Sequence, residues 1–131
     1  VDLSTSQIFK VLVVEDNRIN QLVTKKIMEK NLYKCCVVDD GYEALKILET
    51  EIFDIILMDI NMPLLNGFET TRLIRNKNIT TPIIALTAFD KEEISEEAIS
   101  AGMNDIIIKP FDQSKLFKAM STLIYDAKNV G

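Results

Sequence analysis

The stretch Ile55-Ile-Leu-Met-Asp59 constrains this chain most: four consecutive apolar residues that end in a carboxylate. Two of the four are β-branched, and none alternates with a polar residue. That pattern predicts a strand buried on both faces, as in a parallel sheet. Ile60-Asn61-Met-Pro63 follows, and the proline forces the chain out of regular pairing. Asp59 therefore stands at the carboxyl end of a buried strand. In open α/β sheets that edge is where chemistry gathers.

Four more short strands are predicted by the same reading. Lys10–Val14 is a first strand, with Glu15-Asp16-Asn17 at its end. Ile19, Leu22, Val23 and Ile27 then recur at helical spacing, which predicts an amphipathic helix from Arg18 to about Lys30, capped by Asp16 or Asn17. Whether Ile19 joins the core or stays exposed is open. Lys34–Val38 is a second strand, and Asp39-Asp-Gly41 caps a helix carrying Ala44, Leu45 and Leu48. After the Asp59 strand, Pro63-Leu-Leu-Asn-Gly67 is a loop and Phe68 to about Asn76 a helix, broken by Thr80-Thr-Pro82. Ile83–Leu86 is a fourth strand, ending in Thr87-Ala88. A polar helix spans Lys91–Ala101, stopped by Gly102 as a left-handed cap. Ile106–Ile108 is a fifth strand, ending in Lys109-Pro110, and the last helix runs from about Asp112 to Ala127 with Leu116, Met120 and Leu123 on one face.

Five strands alternating with five helices predict an α/β fold with a doubly wound parallel sheet of flavodoxin-like order 2-1-3-4-5. At 131 residues there is room for one such domain. It is expected over residues 10–127, between an N-terminal tail or linker remnant (1–9) and a C-terminal tail (128–131). The order places the first, third and fourth strands side by side, with the fifth flanking the fourth. Glu15, Asp16, Asp59, Thr87 and Lys109 then meet at one edge.

Composition narrows the function. A net charge of −5 argues against direct nucleic-acid binding. No apolar run reaches the ~18 residues of a membrane span, and the polar N-terminus lacks a signal-peptide core. The only cysteines, Cys35 and Cys36, are neighbours in a strand, so their side chains point to opposite faces and cannot readily bridge. They are expected to be free thiols in a reducing, cytoplasmic compartment. Without histidine, the chain has no His-based metal site and no Ser-His or Cys-His pair.

Three carboxylates at short range repel unless a cation neutralises them. A hard divalent ion such as Mg²⁺ suits oxygen ligands and keeps sites for water and phosphate. Lys109 adds a compact positive charge and Thr87 a hydroxyl. Together with Asp59 they are equipment for moving a phosphoryl group onto a carboxylate.

In these motifs the chain resembles the receiver domains of two-component signalling, the phosphoacceptor modules of response regulators. The matching pieces are Val-Val-Glu15-Asp16-Asn17, Leu-Met-Asp59-Ile-Asn61-Met-Pro63 with Gly67, Ala-Leu-Thr87-Ala88 and Lys109-Pro110-Phe111. The resemblance implies that Asp59 is phosphorylated by a histidine kinase or histidine phosphotransfer partner. It implies Mg²⁺ on Glu15, Asp16, Asp59 and the backbone carbonyl of Asn61, with Thr87 and Lys109 on the phosphoryl group and a cis Lys109–Pro110 bond. Glu15-Asp16-Asn17-Arg-Ile-Asn20-Gln is similar to receivers attached to hybrid sensor histidine kinases, some of them membrane-anchored. No independent enzyme is expected beyond self-phosphorylation and self-dephosphorylation, nor membrane contact, and the isolated domain is expected to be a monomer excised from a longer protein.

The resemblance has one departure. Receivers carry Tyr or Phe three residues before the lysine, and this chain has Ile106. Three rivals fit less well. A haloacid-dehalogenase-like aspartyl-phosphate hydrolase needs an acid/base Asp where Asn61 stands. A flavin-phosphate binder needs a Ser/Thr/Gly-rich first loop in place of Glu15-Asp16-Asn17. A pseudo-receiver used only for docking has no need of the intact acid set.

Overall fold

The computed structural model describes residues 8–129, so most of the expected N-terminal tail and the last two residues lie outside the described residues. The elements follow in strict alternation: β1 (Lys10–Val14), α1 (Arg18–Lys30), β2 (Lys34–Val38), α2 (Gly41–Ile47), β3 (Ile55–Asp59), α3 (Gly67–Asn76), β4 (Ile83–Thr87), α4 (Lys91–Ala101), β5 (Asp105–Ile108) and α5 (Gln113–Asn129). All neighbouring strands are parallel, in the order β2-β1-β3-β4-β5.

The continuous apolar runs have their reason in two cores. Along β1, Val11 and Val13 face one side while Leu12 and Val14 face the other, and β3 divides Ile55 and Leu57 from Ile56 and Met58 in the same way. One face packs against Met28 of α1 and Leu116, Met120 and Ile124 of α5. The other packs against Ala44 of α2, Ile74 of α3 and Ile94 and Ala98 of α4. A strand with helices on both sides has no solvent face for polar residues, so its side chains are apolar throughout. Cys35 and Cys36 do point to opposite cores, as partly buried free thiols. Burial pushes the Cys35 thiol up to about 12, so it is no thiolate at neutral pH.

The helices start on side-chain caps. Asn17, Asp40, Asn66 and Asp90 each accept a backbone N–H of the first turn, and Asn66 with Glu69 forms a reciprocal capping box. Gly102 ends α4 at φ 107°. Three details depart from the sequence reading. Helix α3 ends at Asn76, with Asn78 at φ 63°, before Thr80-Thr-Pro82 can break it. Helix α5 continues past Ala127 to Asn129, and its third core residue is Ile124, not Leu123.

The third departure is α1. Its apolar positions are not its buried face. The helix buries Gln21, Thr24 and Met28, while Ile19 is 70% exposed and Leu22 60%. Ile27 packs only at the core's margin.

Candidate functional site

The carboxyl edge of the sheet collects the polar residues that the strands otherwise exclude. Glu15 and Asp16 follow β1, Asp59 ends the adjacent β3, Thr87 ends β4, and Lys109 follows β5. One carboxylate oxygen from each of Glu15, Asp16 and Asp59 lies within 4.8 Å of the others. Asp16 is exposed, whereas Glu15 and Asp59 are buried. Lys109 reaches across the ends of β4 and β3 to this group, with Nζ 2.9 Å from Glu15 Oε1 and 3.7 Å from Asp59 Oδ1. Thr87, also buried, lies on the strand beside β3, and its hydroxyl accepts the N–H of Phe89 at 2.9 Å. The peptide bond between Lys109 and Pro110 is cis.

Local structure holds these groups. The Asn17 N–H donates to Glu15 Oε2 at 3.1 Å, and the Asn61 N–H donates to Asp59 Oδ1 at 3.2 Å. The loop from Ile60 to Asn66 is drawn tight by Gly67, whose N–H donates to the Ile60 carbonyl at 3.0 Å. A methyl group on Gly67 would meet the Asp59 carbonyl oxygen at 2.6 Å and Ile60 Cα at 2.8 Å. Only a residue without Cβ lets the first turn of α3 come so close to the strand's end.

The electrostatics of the two buried acids diverge. Burial raises the Asp59 carboxyl to about 7, helped by the negative charge of Glu15 and opposed by Lys109. Burial also acts to raise Glu15, but the Lys109 ammonium and the Asn17 N–H outweigh it and hold Glu15 below the usual carboxylate range. Burial and the neighbouring Glu15 thus favour the protonated form of Asp59, while Lys109 pairs with ionised Glu15.

The residues suit a hard divalent cation. An octahedral Mg²⁺ holds oxygens at about 2.0–2.1 Å, so ligands on opposite sides sit roughly 4 Å apart. Three carboxylate oxygens within 4.8 Å of one another are near enough to converge on one ion, all donors are oxygen, and exposed Asp16 leaves one side open for water or phosphate. Asn61, exposed and two residues beyond Asp59, donates its N–H to Asp59 Oδ1 and so stands in the same corner.

Two participants carry no obvious signal in the sequence. Gly67 looks like a turn glycine, and its contact with the Asp59 backbone requires the fold. Gln21 is buried in α1 with its Nε2 donating to the Glu15 backbone carbonyl and to Asp39 Oδ1, each at 2.6 Å. The available sign was an amide at an inward helical position among exposed apolar neighbours.

Comparison with known proteins identifies the family and agrees with the fold. The family profile of the response regulator receiver domain matches residues 11–121. The autoinducer 2 sensor kinase/phosphatase LuxQ of Vibrio vulnificus is 42% identical over 108 residues, covering 82% of this chain and 13% of that protein. The hybrid signal transduction histidine kinase I of Dictyostelium discoideum is 35% identical over 135 residues, covering 95% of this chain and 8% of that protein. The chain thus spans only a small part of the curated relatives it matches. Among solved structures, the receiver domain of a sensor histidine kinase of Pseudomonas aeruginosa, with a magnesium ion coordinated in its active site cleft, is 37% identical, with a TM-score of 0.82 over 90% of this chain and 98% of that one. A Francisella response regulator receiver domain is 34% identical, with a TM-score of 0.85 over 91% of this chain and 98% of that one.

Proposed function

This chain belongs to the response regulator receiver domain family of two-component signalling, and from that membership we propose that Asp59 accepts a phosphoryl group from a phosphohistidine partner in a Mg²⁺-dependent step. The observation that carries the reading is the joint placement of three carboxylates within 4.8 Å and the Lys109 ammonium 3.7 Å from Asp59. Glu15, Asp16, Asp59 and the Asn61 carbonyl would hold the ion. Mg²⁺ bound there would supply Lewis-acid stabilisation to the phosphoryl oxygens and would favour the ionised form of Asp59.

The ionised Asp59 carboxylate attacks phosphorus, an O–P bond forms, and the N–P bond to the donor imidazole breaks with its electron pair returning to nitrogen. No general base is required, because a carboxylate is already anionic. Lys109 transfers its attention from Glu15 to a phosphoryl oxygen, a compact charge against a concentrated one. The Thr87 hydroxyl turns toward another oxygen and bonds it. The donor is a histidine kinase or a histidine phosphotransfer domain, and it docks on the exposed apolar turn of α1. Beside that turn runs a groove lined by Glu15, Val23, Thr24, Ile27, Lys109 and Phe111, which leads to the acids.

Intact-mass measurement with acetyl phosphate tests the reading. One phosphoryl adduct is expected with Mg²⁺, and none with EDTA or in Asp59→Asn. A fully labelled Asp59→Asn protein would place the reaction elsewhere.

A further inference from the structure

We propose that Gln21 is a positioning residue of the cation site: by bridging the Glu15 carbonyl to Asp39, it sets the backbone that carries Asp16 and so sets cation affinity. The inference rests on the assignment of Glu15, Asp16 and Asp59 to the cation.

The three acids are not held alike. Glu15 has Lys109 and the Asn17 N–H, and Asp59 has Lys109 and the Asn61 N–H. Among the described residues, the Asp16 carboxylate makes no hydrogen bond or ion pair of its own. Its place within 4.8 Å of the other two is therefore a matter of backbone. The peptide that leads into Asp16 carries the Glu15 carbonyl. The ladder to β2 ends here: the Glu15 N–H still donates to the Val38 carbonyl at 3.1 Å, but β2 then turns away at Asp39 into the cap of α2. The Glu15 carbonyl has lost its strand partner, and Gln21 Nε2 supplies one at 2.6 Å.

The other N–H of the same amide donates to Asp39 Oδ1, also at 2.6 Å. Asp39 in turn is held where its N–H meets Glu43 Oε1 at 2.8 Å. The amide is thus anchored from both sides and buried on the inward face of α1. A polar side chain in a position that α1 could have filled with one of its exposed apolar residues indicates a specific use. Groups one step behind the ligands orient them, and losing such a group lowers metal affinity by about 10–100-fold.

Gln21→Met keeps length and flexibility but removes both donors. Gln21→Arg retains N–H donors for the carbonyl and the carboxylate. Asp39→Leu and Asp39→Asn remove the same charge from an exposed position, but only Asn keeps an acceptor for the amide. Mg²⁺ and Mn²⁺ affinity by calorimetry, with urea unfolding alongside, reads out both binding and fold. Expected results are an approximately tenfold weaker Kd in Gln21→Met, affinity near wild type in Gln21→Arg, and weaker binding in Asp39→Leu than in Asp39→Asn. Gln21→Met that is less stable yet binds Mg²⁺ with unchanged Kd overturns the inference, because Gln21 is then structural only. Should Gln21→Met not fold, equal affinities in the two Asp39 variants overturn it. Asp16→Asn is the separate control. If Asp16→Asn binds Mg²⁺ as wild type does, the cation assignment itself falls and this inference with it.

Discussion

The hydroxyl of Thr87 is tied to its own loop, because it accepts the Phe89 N–H at 2.9 Å. Turning toward a phosphoryl group on Asp59 would break that bond and draw the Thr87–Ala88–Phe89 segment after the hydroxyl. Ile106 offers no parallel movement. It is 7% exposed and packs in the core beside α4, and its stiff χ1 and lack of a polar tip leave nothing to gain from an outward position. A ring with a polar end has two good positions, but isoleucine has one. Addition of the phosphate mimic beryllofluoride should therefore shift the amide resonances of Thr87–Phe89 and the first turn of α4 more than those of β5. Large shifts centred on Ile106 with a quiet Thr87–Phe89 loop would contradict this account. Helix α4 can move at small cost, since Ile94, Ala98 and Ala101 are its only buried residues.

Helix α1 marks where periodicity stops being a guide. Apolar residues at helical spacing placed the helix from Arg18 to about Lys30, but Leu22 and Val23 of that stripe face outward, as does Ile19, whose side the spacing left open. Period measures which residues share a side, but it does not say whether that side meets the protein's own core or another molecule. Gln21 and Thr24 turn inward here, and only Met28 is a conventional core residue. The exposed turn of Ile19, Leu22 and Val23 is bordered by Lys25 and Lys26. An apolar patch with a polar rim on a single domain indicates a partner. Ile19→Asp should cut phosphoryl transfer from a phosphohistidine protein by at least about tenfold, the effect of losing one apolar contact and adding an unpaired charge at an interface. Labelling by acetyl phosphate, which needs no docking, should be unchanged. Equal loss with both donors would show misfolding instead.

At the scale of the whole molecule, topology was legible because the central strands are apolar on both sides, and five strands alternating with five helices fit an open doubly wound sheet. The residues gathered at the edge were legible for the same reason: Glu15, Asp59, Thr87 and Lys109 are the polar residues at the carboxyl ends of apolar runs. What lay beyond reach were contacts between elements distant in sequence, such as Gly67 against the Asp59 carbonyl and Gln21 against Asp39.

The buried acids also couple the stability of the entire domain to pH, and a cation held by them would couple it to metal. Asp59 titrates near 7 in the fold, above its ordinary 3.8. Between those values the folded state holds a proton that the unfolded state has released, so this group makes stability fall as pH rises through the window and level off above 7. Glu15 is lowered and acts the other way, but its contribution is lost only as pH falls into the acid range. In EDTA, wild type should therefore lose stability relative to Asp59→Asn on going from about pH 5 to about pH 8, by an amount on the order of a few kcal/mol at most. Cation binding requires the ionised carboxylate, so Mg²⁺ affinity should strengthen over the same range. Saturating Mg²⁺ at about pH 8 should return the lost stability, as a ligand that binds only the folded state must. Urea unfolding of the two proteins at several pH values, with EDTA and with Mg²⁺, reads all three effects. Parallel curves in EDTA across the whole range would mean that Asp59 is ionised in the metal-free fold, with Lys109 strong enough to offset both its burial and its neighbour Glu15.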